Sequence, residues 1–185
     1  MGDQFRPLDD KQISFIRDQQ LFFVGTAGAE GFVNVSPKGM DSFRVLSENR
    51  IAWLNLTGSG NESASHVLEN RRMTVMFCSF DKTPLILRLY GNATVVHERD
   101  PEWQELVGLF PDFSGARQVF LLDIEMVQTS CGFAVPYFEP QGERPTLARW
   151  AEKKGKEGIV EFQKKHNLKD LNGRGTGLFE SELSE

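Results

Sequence analysis

The chain has 185 residues, 39% hydrophobic and 25% charged, with 21 basic against 26 acidic side chains for a net charge of −5. That length is one domain, or a domain with an appendage, and it buries a core without metal or disulfide staples. The composition excludes a disordered chain, and the acidic balance excludes a nucleic-acid partner, which needs a concentrated basic face.

The start, Met1-Gly2-Asp3-Gln4-Phe5-Arg6, carries no apolar leader, and Arg6 stands where a myristoylation signal needs Ser or Thr. No apolar run approaches the roughly 18 residues that cross a bilayer. Cys78 and Cys131 lie in unlike contexts and read as reduced thiols. The expectation is a soluble, cytoplasmic protein.

Residues 8–20 read as an opening helix, with Asp9 and Asp10 in its first turn and Ile13 and Ile16 on its buried stripe. Strand signals follow at Leu21 to Val24, Phe32 to Val35 and Arg50 to Leu56. Residues 61–71 read as a helix after the turn Thr57-Gly58-Ser59-Gly60. Met73 to Phe80 is apolar on both faces, whereas Leu85 to Val95 alternates as a half-buried strand does. A short helix at 101–110 opens on Pro101, and Val119 to Val127 is the last apolar run. Six close-spaced strands with few helices between them predict an antiparallel barrel. From Thr146 the pattern is helical again, broken near Gly155 and Gly158, and Asp170 to Glu185 is a Gly-rich acidic stretch expected to fray. The predicted organisation is a barrel over residues 1–132, with a helical extension and flexible tail over 133–185 packed on the same domain.

Three features bear on chemistry. At Thr57-Gly58-Ser59-Gly60-Asn61-Glu62-Ser63 a strand enters a hydroxyl-rich turn and then a helix start, where free N–H groups and the helix dipole favour an anion. Plain capping by Ser59 or Asn61 is the commoner use of such a turn. At Asn34-Val35-Ser36-Pro37-Lys38-Gly39 a strand delivers Ser36 and Lys38 to a Pro-fixed turn, so Lys38 is either a phosphate-binding point charge or a solvated turn lysine. Arg88 interrupts an apolar strand and either faces solvent or answers an anion. The histidines are scattered without metal-ligand spacing, Cys78 reads as core, and Cys131 ends a strand where a thiol is displayed but is more often inert.

The order of these pieces carries a resemblance. Helix, strand, Ser36-Pro37-Lys38-Gly39 turn, Gly-rich turn, the helix ending Leu68-Glu69-Asn70-Arg71-Arg72, then Met73-Thr74-Val75-Met76-Phe77 and Leu87-Arg88-Leu89-Tyr90-Gly91 resemble the pyridoxamine 5′-phosphate oxidase-like flavoproteins. The resemblance runs from about Leu8 to Gly132, and Gln128 to Lys156 is similar to one branch of that group. It implies a six-stranded antiparallel split β-barrel that forms a homodimer with FMN in two clefts between subunits. It implies a flavin phosphate held by Lys38 with Ser36 and Val35, and by Thr57, Ser59, Asn61 and Ser63, with Arg88 or Arg72 as added cations.

The departures are specific. Glu62-Ser63 stand where relatives that make pyridoxal phosphate carry Arg-Lys, Val33 replaces an arginine, and no Arg-rich C-terminal segment is recognisable. The expectation is therefore an FMN-dependent oxidoreductase passing hydride through flavin N5 with a small substrate, and not a true pyridoxamine 5′-phosphate oxidase. The alternative is a flavin- or haem-binding carrier or sensor without turnover. Leu85 to Val95 and Val119 to Val127 carry more apolar side chains than one small barrel takes, which assigns part of them to the dimer interface. Trp150 and Phe162 are expected to lie across that junction.

Overall fold

The structure is a computed structural model, and it describes residues 2–179. Its elements run β1 (Gln4–Phe5), α1 (Asp10–Asp18), β2 (Phe22–Thr26), β3 (Asn34–Lys38), β4 (Phe43–Ser47), β5 (Arg50–Leu56) and α2 (Glu62–Asn70). They continue with β6 (Arg72–Cys78), β7 (Ile86–His97), α3 (Trp103–Val107), β8 (Ala116–Ser130) and α4 (Thr146–His166). The antiparallel architecture is as expected, but the sheet has 8 strands where six were read. The two additional strands have physical disguises. β1 is only 2 residues long. In β4, Arg44 turns back on Asp41 with bonds of 2.6 and 2.9 Å, and the register slips between Val45 and Ser47.

Helix α1 starts on a reciprocal cap. Asp9 accepts from the Gln12 amide at 2.7 Å, and Gln12 Oε1 accepts from the Asp9 amide at 3.0 Å. The strand order is β3-β2-β6-β7-β8-β5-β4, and β1 pairs with β8 outside that path. β8 is the spine: β7 covers one edge from Ile86↔Ser130 to His97↔Gln118, while β5 and β1 share the other. The path closes through side chains. Phe43 on β4, the last strand, packs edge-on against Phe22 on β2 at 4.9 Å and Phe77 on β6 at 5.0 Å. The end strand β4 is thus tied by rings to β2 and β6, strands with which it shares no backbone pairing.

Both faces of β5 and β8 are packed inside the chain. Ile51, Trp53, Phe120 and Leu122 face the barrel interior with Val24, Val75, Leu87 and Leu89. The alternate residues Ala52, Leu54, Val119 and Leu121 form a second cluster with Trp103 and Phe110. Helix α3 and the loop after it cover this second face, which includes Val119 and Leu121 from the stretch in part expected at a subunit interface. Trp150 and Phe162, expected at a subunit junction, stack edge-on with each other at 4.9 Å.

Helix α4 breaks at Gly155, whose φ of 65° and ψ of 173° leave the helical region. Beyond it the chain does not fray through 170–179: Asn167 and Thr176 are wholly buried, and Asp170 and Leu178 nearly so. The expectation for 180–185 lies outside the described residues. Among the described residues, no helix is long and apolar enough to cross a membrane.

Gly91 sits where the β7–β8 register shifts, and a side chain there would run into the Asp123 carbonyl. We expect Gly91→Ala to destabilise the protein by about 1–3 kcal/mol, as overpacking does. A lowered urea midpoint at unchanged slope is the check; an unchanged midpoint contradicts the register.

Candidate functional site

The alternation of β3 decides which of its residues converge. Asn34, Ser36 and Lys38 share the half-buried face, while Val35 points out and is 66% exposed. Lys38 pairs with Phe22, and its ammonium lies 5.1 Å from the centroid of the Trp53 ring, inside the mouth of the barrel. Burial, with the nearby Arg117 guanidinium reinforcing it, pushes the Lys38 pKa down to about 8, while Glu62 pulls the other way. It is therefore not a solvated turn lysine. Ser36 flanks it.

The Gly-rich turn faces the same region. Thr57 is wholly buried and structural: its hydroxyl donates to the Gly115 carbonyl at 2.9 Å and accepts from Gln163 Nε2 at 2.8 Å. Ser63 is buried within a chain of polar contacts, accepting from Asn34 Nδ2 at 3.1 Å and meeting Thr26 Oγ1 at 3.3 Å. Asn61 holds the N-cap position of α2 but makes no side-chain capping bond, and its Oδ1 is buried without a partner. Ser59 is exposed, so neither expected capping bond is made. The Glu62 carboxylate folds over Gly60.

Sequence reasoning missed Arg117. It is 4% exposed at the start of β8, and its Nη1 donates to the Gly60 carbonyl at 3.1 Å and to Asn167 Oδ1 at 2.7 Å. Burial draws its pKa down to about 10, so it stays charged, and its Nε is buried without a partner. The signal was available: extending the β8 alternation back from Val119 puts Arg117 on a buried face.

Arg88 is not part of this constellation. It lies opposite Met76 and Gln128, on the face alternate to the buried Leu87 and Leu89, and donates to Ser130 Oγ at 3.1 Å. Arg72 is exposed at the start of β6, past the C-terminal end of α2. His66 is wholly buried, with Nδ1 3.1 Å from Thr26 Oγ1 and Nε2 3.9 Å from Asp170 Oδ2. Cys78 is buried and Cys131 exposed.

Two sequestered cations, an uncapped helix start and one orphaned buried donor, Arg117 Nε, fit a phosphate monoester. A cavity of about 470 Å³ opens beside Gly39, lined by Phe22, Phe43, Phe77, Ile16, Arg17 and Glu143, a size and lining suited to a small ligand. Glu143 anchors its outer wall by accepting from the Met40 amide at 3.1 Å.

Comparison with known proteins gives the same frame. The family model described as pyridoxamine 5′-phosphate oxidase matches residues 8–131. A pyridoxamine 5′-phosphate oxidase family protein of Aspergillus flavus, ustO, is 40% identical over 187 residues, covering 91% of this chain and 75% of its own. Among solved structures, a candidate pyridoxamine 5′-phosphate oxidase from Lactobacillus delbrueckii superposes with a TM-score of 0.55 at 22% identity, over 66% of this chain and 94% of its own. HupZ of Group A Streptococcus superposes with a TM-score of 0.52 at 19% identity, over 66% of this chain and 99% of its own. The chain belongs to the pyridoxamine 5′-phosphate oxidase family.

Proposed function

We propose that the chain is an FMN-dependent oxidoreductase of the cytoplasm that acts on a small organic substrate as a homodimer. The observation that carries the reading is the Lys38 ammonium, shielded from water at the mouth of the barrel, close to a helix start that no side chain caps. Bound FMN supplies hydride transfer through N5. The chain's part is to hold and orient: Lys38 and Ser36 meet the phosphate from β3, and the first amides of α2 meet it from the other side. Phe22, Phe43 and Phe77 give the cavity beside Gly39 an apolar wall. Glu62 lowers the net positive charge here, and the Arg-Lys pair of pyridoxal phosphate-making relatives is absent, so vitamin B6 phosphate is not the proposed substrate. Two free thiols fit a reducing compartment.

Homodimer formation rests on a surface the fold leaves open. Phe32, Val33 and Val35 are 71%, 69% and 66% exposed at the β2–β3 hairpin. A second copy is the simplest cover for such a patch. Light scattering should give a dimer, and Val33→Asp with Val35→Asp should shift it to monomer. A wild-type monomer that still binds one FMN per chain overturns this part.

The phosphate reading predicts tighter binding of FMN than of riboflavin by fluorescence quenching. Lys38→Met should weaken FMN by about 1.5–3 kcal/mol, the worth of a hydrogen bond to a charged group, and leave riboflavin unchanged. Equal affinities in the wild type overturn it. Reduction of the bound flavin by a nicotinamide or organic donor separates the oxidoreductase from a carrier that holds the flavin without turnover.

The Lys38 pKa adds a pH prediction. Its folded value of about 8 lies below the ordinary 10.5, so the unfolded chain binds the extra proton between those values and stability rises with pH across that window. Lys38→Met should therefore stabilise the free protein at pH 7 by about 1 kcal/mol, or roughly 2–4 °C in thermal midpoint. FMN affinity should fall as pH rises above 8, while riboflavin affinity stays level. A flat FMN profile between pH 7 and 9.5 contradicts the assignment of the charge.

A further inference from the structure

The guanidinium of Arg117 is buried against neutral oxygens. Its recorded bonds, to the Gly60 carbonyl and Asn167 Oδ1, are both made by Nη1, and its Nε is shielded from solvent with no partner. A charge so placed is expensive to keep, and an unmade bond at a buried donor adds to the cost. The same residue has Lys38 close enough to depress that lysine's pKa. Two cations thus act on each other and share Glu62, the first residue of the uncapped α2, as the carboxylate that acts on both.

The residue that fixes this arrangement comes from outside the family-matched stretch of 8–131. Asn167, wholly buried just past α4, uses every polar group it has. Its Oδ1 accepts from Arg117, and its Nδ2 donates to the Gly58 carbonyl at 3.0 Å. Its backbone carbonyl accepts from Thr176 Oγ1 at 2.6 Å and from Asn61 Nδ2 at 3.4 Å, and its amide donates to the Gln163 carbonyl at 2.7 Å. One side chain therefore sets both the arginine and the Gly-rich turn. Gln163 adds a second tie through Thr57, and Asp170 a third by accepting from Ser65 at 2.8 Å.

We propose that Arg117 is a second anion-holding cation of the site, and that Asn167 is the positioning residue that aims it, so the C-terminal extension is a working part of phosphate recognition. The proposal rests on the phosphate reading above and goes beyond it. The Nη1 side of the guanidinium is committed to the protein, which leaves the Nε side to meet a phosphate oxygen. A neutral amide at position 167 serves this purpose because it orients the arginine without cancelling its charge.

The test is a ratio, the affinity for FMN over that for riboflavin, measured by flavin fluorescence quenching on the full chain. Arg117→Met should lower the ratio at least tenfold, with riboflavin binding unchanged. Asn167→Asp should do the same by a different route: it keeps the bond to Arg117 and neutralises the guanidinium, and it also gives up the bond to the Gly58 carbonyl. A scaffolding role for either residue would weaken both ligands together or neither. If Arg117→Met fails to fold, Asn167→Asp, which relieves an unpaired buried charge, carries the test alone. A wild-type preference for FMN that survives both substitutions overturns this inference and spares the phosphate reading. A wild type without that preference overturns both.

Discussion

Removing the Arg117 guanidinium from water costs several kcal/mol unless oxygen atoms replace its hydration, and the fold supplies those oxygens from separate segments of the chain. Gly60 gives one from the turn before α2, and Asn167 gives another from beyond α4. For these to meet, α4 must cross the barrel wall at Thr57 and the chain after it must return beneath α2. The path of the C-terminal extension is therefore tied to one charge on β8. The split barrel provides the platform, and that charge fixes what is fastened to it.

The same economy explains why the site is costly to the protein that carries it. Lys38 and Arg117 repel each other, both lose hydration, and Glu62 offsets only part of the expense. Asn61 Oδ1 and Arg117 Nε add unmade bonds. Stability is sacrificed at this point and recovered in the doubly covered β5–β8 pair, where alternate residues feed two separate cores. Strain of this kind gathers where a ligand is to be met.

How much of this could be read beforehand follows the range of the interactions. The apolar alternation of Leu85 to Val95 and the run Val119 to Val127 announce strands because each residue's burial depends on immediate neighbours. Lys38 and the turn at Gly58 are visible through local chemistry, Pro37 and glycine. β4 was hidden because Arg44 and its partner Asp41 look like turn residues, although Phe43 is a closing ring of the barrel. Arg117 was legible only by extending a period backward through Gln118. Asn167 carried no sign at all, since its partners lie 50 and 109 residues away in sequence. The cover over the second face of β8 went unread for a related reason: α3 is short and polar in part, so its Trp103 did not stand out.

The long separation between Asn167 and Gly58 also governs the order in which this molecule comes apart. Contacts that close large loops form late in folding and are recovered slowly once broken. The barrel core rests on continuous antiparallel ladders, whereas the turn before α2 is held by isolated bonds to Gly115, Arg117, Gln163 and Asn167. Gentle warming or dilute denaturant opens such low-stability segments before the global transition. The anion-holding corner is accordingly expected to open and re-form while the barrel stays intact.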